Sequence, residues 1–249
     1  MPQLLRSSNP TLSERVFRGQ PMTYGETMTI GGTVNKTGIL LLLAILSAAF
    51  TWHTFFSGNF AATNGLLWIG MIGGLVLAFV TMFKVDWAPF TAPAYALCEG
   101  LALGGISAMF ERRFPGIAIQ AVSLTFGTLL VMLMIYKSGI IKVTRKFQIG
   151  VSAAIGAIFL FYIVEMILGF FHIGQALLYG SGPLSIGISF VIVGVAALSL
   201  MLDFNSIEMG ARAGAPKVME WYGAFGLMVT LVWLYLEILQ LVSKLQSRN

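Results

Sequence analysis

The chain has 249 residues, of which 57% are hydrophobic and only 10% are charged, and its mean hydropathy is +0.85. Soluble domains contain about 25% charged residues, so the composition excludes a soluble globular protein and predicts an integral membrane protein without a separate soluble domain. The net charge of +5 does not indicate nucleic-acid binding, because the basic residues lie in short stretches between apolar segments, where they set orientation in the membrane.

Residues 1–33 form a polar N-terminal tail, and residues 34–249 contain seven apolar segments. Each segment is long enough to cross a hydrocarbon core of about 30 Å as a helix. The segments are continuous and too long for alternating barrel strands, which predicts an all-α transmembrane fold. A Gly-rich stretch at 173–183, between the fifth and sixth segments, is a candidate for re-entry into the membrane. The predicted segments are 35–56, 64–83, 89–110, 116–137, 147–171, 183–204 and 218–242.

The distribution of positive charge predicts the orientation of the helices. The tail up to Lys36, together with the second, fourth and sixth loops, contains 11 of the 15 Lys and Arg residues. Cytoplasmic loops collect Lys and Arg. We therefore expect a cytoplasmic N-terminus and a C-terminus on the outer side.

Four acidic residues lie in the interior or at the C-terminal end of a predicted segment: Glu99, Glu165, Asp203 and Glu237. The interiors of the segments contain no Lys or Arg, so these carboxyl groups lack an obvious basic partner. An acid at a bilayer centre costs upward of roughly 2.5 kcal/mol. Each must be protonated, bonded to a neighbour, wetted by a cavity, or holding a cation.

The predicted orientation divides the four acids into two tiers. Asp203 and Glu99 form an inner tier, and Glu165 and Glu237 form an outer tier, so Asp203 and Glu237 are not expected to touch. Thr230 lies between the tiers on the seventh segment. We therefore expect a polar path that joins the two tiers along this helix through Thr230.

Small or polar residues recur at helical spacing along each of the last two segments. A helix that faces lipid all round needs no such stripe, so we expect these two helices to face each other. The third segment carries a GxxxG pair, Gly100 and Gly104, which allows close helix packing. The stripe of the sixth segment is Ser185, Ser189, Ile192, Ala196, Ser199 and Asp203; that of the seventh is Gly223, Gly226, Thr230, Trp233, Glu237, Gln240 and Lys244.

Enzymatic function is not indicated. The chain has no HExxH, GxGxxG or P-loop motif. An intramembrane aspartyl protease needs two aspartates within spans, and only Asp203 qualifies. His53 and His172 lie at segment ends, where they are typical interface residues. We expect no catalytic residue and no cofactor.

Several motifs are typical of one membrane-protein family. They are CEGLALG in the third segment, LDFNSIE at the end of the sixth, APKVMEWYGAFGLMVTLVWLYLEILQLVSKL in the seventh, and SSNPTL in the tail. Through them the chain resembles the Bax inhibitor 1 superfamily (TMBIM and YccA-like proteins), in its bacterial Bax-inhibitor-like branch. The resemblance covers the whole chain. It implies a bacterial inner-membrane protein in which six helices surround a central C-terminal helix.

The resemblance also implies a pH-sensitive calcium leak gated by two aspartates, one in each of the last two helices. The first matches Asp203, whereas Thr230 stands where the second would fall. Glu99 or Glu220 is then the candidate to share a proton with Asp203. The expected pH sensor and gate is Asp203, Glu99, Glu220 and Thr230; the expected ion path contains Glu165, Glu237 and Ser199; the expected calcium ligands are Asp203 and Glu99.

Three functions fit these residues. The first is a passive cation leak in which calcium is the transported ion. The second is a non-conducting regulator that binds a membrane protease or another membrane protein, with the N-terminal tail as a contact site. The third is a proton-coupled transporter. In each case we expect membrane lipid as surroundings, no nucleic-acid partner and a monomer.

Overall fold

The computed structural model describes residues 26–170, 180 and 182–248. The N-terminal tail up to residue 25 and most of the candidate re-entrant stretch 173–183 lie outside the described residues. A short 3-10 turn, Val85–Trp87, precedes the third helix. The helices are α1 Ile30–Phe56, α2 Phe60–Phe83, α3 Ala88–Arg113, α4 Ile117–Ser138, α5 Arg145–Phe170, α6 Pro183–Arg212 and α7 Met219–Gln246.

Seven helices in the described part of the chain are long and apolar enough to cross a membrane. That part contains no β-strand and a single isolated bridge, between Thr27 and Pro216. The predicted all-α fold with seven transmembrane helices is confirmed. The chain is a multi-pass membrane protein.

The helices differ from the predicted segments at their ends. Hydropathy ends a segment where polar residues begin, but a helix continues wherever its backbone hydrogen bonds continue. Accordingly, α6 runs on to Arg212 and carries Asn205 and Glu208 as helical residues. At the other end of the chain α1 begins at Ile30, so Lys36 lies well inside a membrane-spanning helix.

The first helix begins at a capped terminus held against the α6–α7 loop. Thr29 is the N-cap, and its Oγ1 accepts a hydrogen bond of 2.9 Å from the Gly32 amide, which satisfies one of the amides that a helix start leaves free. The Met28 amide donates to the Ala215 carbonyl at 2.7 Å, and the Lys217 amide donates to the Glu26 carbonyl at 3.1 Å. Residues 26–29, which we call the N-terminal strap, are therefore hydrogen-bonded to this loop.

The helices form two compact groups. The first contains α1, α2 and α3 together with Asp203–Val229. Its helices approach closely through glycine: a methyl group at Gly104 of α3 would lie 2.7 Å from the Cα of Ala48 in α1, and one at Gly70 of α2 would lie 2.6 Å from the Ala102 amide of α3. The GxxxG pair therefore serves helix packing, as expected.

The second group contains Phe114–Leu202 and Thr230–Asn249. Within it, α6 buries one face and exposes the other: Ser185 and Ser189 are buried, whereas Leu184 and Val191 are exposed. The C-terminal helix α7, which passes through both groups, is the most buried of the seven. In its most apolar 18-residue stretch 67% of the residues are buried, against 11–44% in the other helices.

Candidate functional site

The polar stripe of α6 is buried along its whole length. Asp203 is only 1% exposed, and it lies in the third-last turn of a helix that ends at Arg212. Ser199, one turn earlier, donates its hydroxyl to the Ala196 carbonyl of the same helix at 2.7 Å. The stripe therefore faces protein rather than lipid. All six of its members are buried: Ser185, Ser189, Ile192, Ala196, Ser199 and Asp203.

The stripe of α7 contains buried and half-buried residues on a helix that is buried on most sides. It faces α6 at both ends. Near the start of α7, a methyl group at Gly223 would lie 3.3 Å from Ile207 of α6. Near the end, the Lys244 ammonium donates to the Ser189 hydroxyl at 2.7 Å. The expectation that the two helices face each other is confirmed. Thr230 is buried in the middle of α7.

Glu99 belongs to the packing of α2 against α3. Its carboxylate is hydrogen-bonded to Tyr95, one turn earlier on α3. The same carboxylate lies beside Gly74 of α2, where an added methyl group would be 3.0 Å from an oxygen. Tyr95 in turn contacts Phe225 of α7 edge to face, with 5.0 Å between ring centroids. A glycine in α2 therefore makes the space that the Glu99 carboxylate occupies.

The candidate calcium ligands, Asp203 and Glu99, are not part of a larger ligand set. Among the residues that the structure describes, no three His, Cys, Asp or Glu side chains converge on a point where they could hold a metal ion. Calcium binding at Asp203 and Glu99 stays a prediction.

Glu220, in the first turn of α7, is held by the start of α1. Its Oε1 accepts hydrogen bonds of 2.9 Å from both the amide and the hydroxyl of Thr29. Its Oε2 forms an ion pair with Lys36, whose ammonium also lies 5.5 Å from the ring centroid of Trp221. We call these residues, with Gly32, the Glu220 cluster. Charge-assisted bonds of this kind are the strongest that a carboxylate makes.

The Glu220 cluster contains an ion pair that the sequence analysis did not anticipate. Lys36 was counted with the tail, and Glu220 was not among the four acids expected to lack a basic partner. Because α1 begins at Ile30, Lys36 reaches Glu220 from within the helix. Both oxygens of Glu220, the candidate to share a proton with Asp203, are engaged by Thr29 and Lys36. The sequence signal that could have revealed the pair was the single Lys in the first apolar segment.

The absence of a side chain at Gly32 leaves the space that the Glu220 carboxylate occupies. A Cβ at Gly32 would overlap the Glu220 carboxylate, whereas a Cβ at the neighbouring Gly31 would meet nothing within 4 Å. The carboxylate cannot easily move aside, because Thr29 and Lys36 bind both of its oxygens. The close approach of α1 to the start of α7 therefore depends on the missing side chain.

Glu237 is the centre of a second polar cluster, in the second group of helices. Its Oε1 accepts hydrogen bonds from the Tyr162 hydroxyl of α5 and, at 3.1 Å, from the indole of Trp233. Its Oε2 is buried and has no hydrogen-bond partner among the described residues. The charge of Lys244, two turns later on the same stripe, interacts with Glu237. We call Glu237, Tyr162, Trp233, Lys244 and Ser189 the Glu237 cluster.

Glu165, the other predicted outer acid, is buried on α5. It follows Tyr162 by three residues, and residues three apart share a helix face. Sequence reasoning placed Glu165 and Glu237 in one tier but missed Tyr162, which connects α5 to Glu237, and gave Lys244 no role.

The similarity to known proteins covers nearly the whole chain and is not limited to one cluster. A sequence model of the family described as Bax inhibitor 1 like matches residues 9–247. A search of curated proteins found no match, and neither did a search of solved structures. The family match includes all seven helices and both polar clusters. The chain therefore belongs to the Bax inhibitor 1 like family.

Proposed function

We propose that this protein is a passive leak pathway for cations, with calcium as the preferred ion, and that protonation around Asp203 regulates it. We place it in the bacterial inner membrane with its N-terminus in the cytoplasm. The observation that carries the proposal is the nearly complete burial of Asp203 on the polar stripe of α6. A carboxyl group in such a place changes its contacts when it gains or loses a proton, which is the kind of local event that switches a helix pair.

Oxygen atoms along the last two helices support the choice of a hard cation. Calcium prefers carboxylate, hydroxyl and carbonyl oxygens. The α6 stripe carries the Asp203 carboxylate and the Ser199 hydroxyl, and the α7 stripe carries the Thr230 hydroxyl and the Glu237 carboxylate, all of them buried. Buried oxygen ligands on two neighbouring helices are what a calcium pathway needs. A metal-binding scaffold of three or more acids is not required for passive leak, because conduction needs weak binding.

The experiment is calcium flux into liposomes that contain the purified protein and an entrapped calcium indicator, at mildly acidic and mildly alkaline pH. We expect flux above that of empty liposomes and a change of rate with pH. Asp203→Asn, which mimics the neutral carboxyl group, should remove the pH dependence. Asp86→Asn, at an exposed acid in the turn before α3, is the matched control and should retain it. Flux equal to that of empty liposomes at every pH would refute the proposal.

A second function, a non-conducting regulator of another membrane protein, is favoured by the N-terminal strap. Residues 26–29 bind the α6–α7 loop through Met28, Ala215 and Lys217, beside the Glu220 cluster. The polar sequence that precedes this anchor is a candidate contact site for a partner. Deleting residues 1–25 keeps the strap and should abolish co-purification of a partner while leaving calcium flux intact. Retained co-purification after the deletion would show that the tail is not the contact site, and a full chain that co-purifies no membrane protein would count against this function.

A further inference from the structure

Lys244 carries its charge into the protein rather than to the membrane surface. It lies two residues before the end of α7 at Gln246, where a lysine ordinarily extends its ammonium into water. Here the residue is only 5% exposed. Helical side chains lean toward the N-terminus of their helix, so Lys244 points back along α7 toward Glu237.

The Lys244 ammonium is hydrogen-bonded to a side-chain oxygen of α6. It donates to Ser189 at 2.7 Å, and its charge interacts with that of Glu237. One buried oxygen of the Glu237 cluster, Oε2 of Glu237, has no hydrogen-bond partner among the described residues. A carboxylate oxygen without a partner is a ligand that a hard cation takes.

We propose that the Lys244 ammonium is a tethered cation, which occupies the Glu237 cluster and must be displaced before a divalent cation can bind there. Lys244 then sets the affinity of this site: with the ammonium in place, a divalent ion meets a like charge near the Glu237 carboxylate. The assignment rests on the proposed cation pathway for its role in transport, but the binding competition that it describes can be measured without transport.

A purely structural role makes a different prediction. If Lys244 only joined α7 to α6 through Ser189, its removal would lower stability and create no metal site. If it is a tethered cation, its removal leaves the Glu237 carboxylate open to an ion from solution. Binding of a metal to a folded Lys244 variant therefore distinguishes the two.

The probe is Tb³⁺, which replaces calcium at oxygen sites and emits when a nearby indole or phenol is excited. Trp233 and Tyr162 both hydrogen-bond to Glu237, so an ion held there is sensitised. In the detergent-solubilised full chain, we expect Lys244→Met to bind Tb³⁺ at least about tenfold more tightly than the wild type, equivalent to about 1.4 kcal/mol. Lys244→Arg should resemble the wild type, because it keeps the charge.

Two controls localise the signal. Adding Glu237→Gln to Lys244→Met should abolish the gain, because it removes the carboxylate that binds the ion. Lys84→Met removes an exposed lysine elsewhere and should change nothing. Equal Tb³⁺ binding by folded Lys244→Met and the wild type overturns the proposal, as does a gain that survives Glu237→Gln.

Ser189→Ala keeps the inference testable if Lys244→Met does not fold. It removes the hydrogen bond that holds the ammonium and should give a smaller gain in Tb³⁺ affinity, about threefold to tenfold, corresponding to a lost hydrogen bond of about 1 kcal/mol. Unchanged affinity in Ser189→Ala then overturns the proposal.

Calcium flux in liposomes separates this proposal from the leak itself. Faster flux through Lys244→Met than through the wild type supports both. If no variant conducts but Lys244→Met gains a Glu237-dependent Tb³⁺ site, the leak fails and the role of Lys244 stands. If the wild type conducts and Lys244→Met gains neither affinity nor rate, the role of Lys244 alone fails.

Discussion

Glu220 in the first turn of α7 forms a partly buried ion pair with Lys36 of α1, across 184 residues of sequence. The pair and the two hydrogen bonds from Thr29 fix the start of the last helix against the start of the first. These contacts can be tested by unfolding measurements, which do not depend on conduction.

Lys36→Met should destabilise the protein, because it leaves the Glu220 carboxylate buried without its cation. Removing one partner of a fully buried pair costs about 3–5 kcal/mol. We expect a smaller loss, about 1–3 kcal/mol, because Lys36 is partly exposed and the Thr29 hydrogen bonds remain. Denaturant unfolding in detergent measures the loss. Lys84→Met, at an exposed lysine, should change the free energy of unfolding by less than about 0.5 kcal/mol. Equal losses in the two variants would contradict the importance of the pair.

Gly32→Ala should lower the free energy of unfolding by about 1–3 kcal/mol, the usual cost of overpacking. Its new methyl group would overlap the Glu220 carboxylate. The matched control is Gly31→Ala, where the methyl group meets open space and the better helix propensity of alanine should add up to about 1 kcal/mol. Opposite signs in neighbouring positions are expected in thermal unfolding. A loss in Gly31→Ala equal to that in Gly32→Ala would contradict a cost that is specific to the contact with Glu220.

Gly100→Ala and Gly104→Ala should each weaken the packing of α3 on α1. A methyl group at either position would lie within 3 Å of the Ala44 or Ala48 backbone, and a backbone cannot rotate away as a side chain can. We expect losses of about 1–3 kcal/mol. Gly127→Ala in α4, where nothing lies within 4 Å, should be neutral or stabilising by up to about 1 kcal/mol. Tolerance of alanine at both α3 positions would exclude the close approach.

The N-terminal strap can be followed through the chemistry of Lys217, which lies outside the membrane-spanning helices. Its hydrogen bond to Glu26 raises the pKa of the Lys217 ammonium above its ordinary value. A raised pKa leaves less free amine at a given alkaline pH, so an amine-acylating reagent should modify Lys217 slowly. Glu26→Gln should accelerate the reaction, while the backbone bond from Lys217 to the residue 26 carbonyl persists.

Mass spectrometry of the acylated peptides measures this rate. Lys142, exposed in the loop between α4 and α5, is an internal reference whose rate should not respond to Glu26→Gln. An unchanged Lys217 rate would show that the Glu26 side chain does not bind it in solution. In sealed vesicles, a membrane-impermeant reagent also tests the predicted orientation, because Lys217 and Lys142 should react from the cytoplasmic side.

The seven helices and the α6 stripe could be predicted from the sequence because both depend on local pattern. Apolar length identifies a span, and a spacing of three and four identifies a face. Helix ends were less accurate. Hydropathy registers the edge of the bilayer, whereas α6 continues into polar sequence as far as Arg212.

The partners of the buried acids could not be predicted, because they come from distant parts of the chain. Glu220 accepts a hydrogen bond from Thr29, which is 191 residues away in the sequence. Glu237 accepts one from Tyr162, which is 75 residues away. Periodicity orders residues along one helix but does not pair helices. Glu99 is the intermediate case: its partner Tyr95 is one turn away and was within reach of sequence reasoning.

The bond between Thr29 and Glu220 also has a consequence for biosynthesis. The ribosome adds about 5–20 residues per second, so Glu220 emerges about 10–40 s after Thr29, given the 191 residues between them. During that interval Lys36 enters the membrane region without its carboxylate. Insertion of the last helix completes the contacts of the first, and a nascent chain truncated before Glu220 should expose the start of α1 to proteolysis.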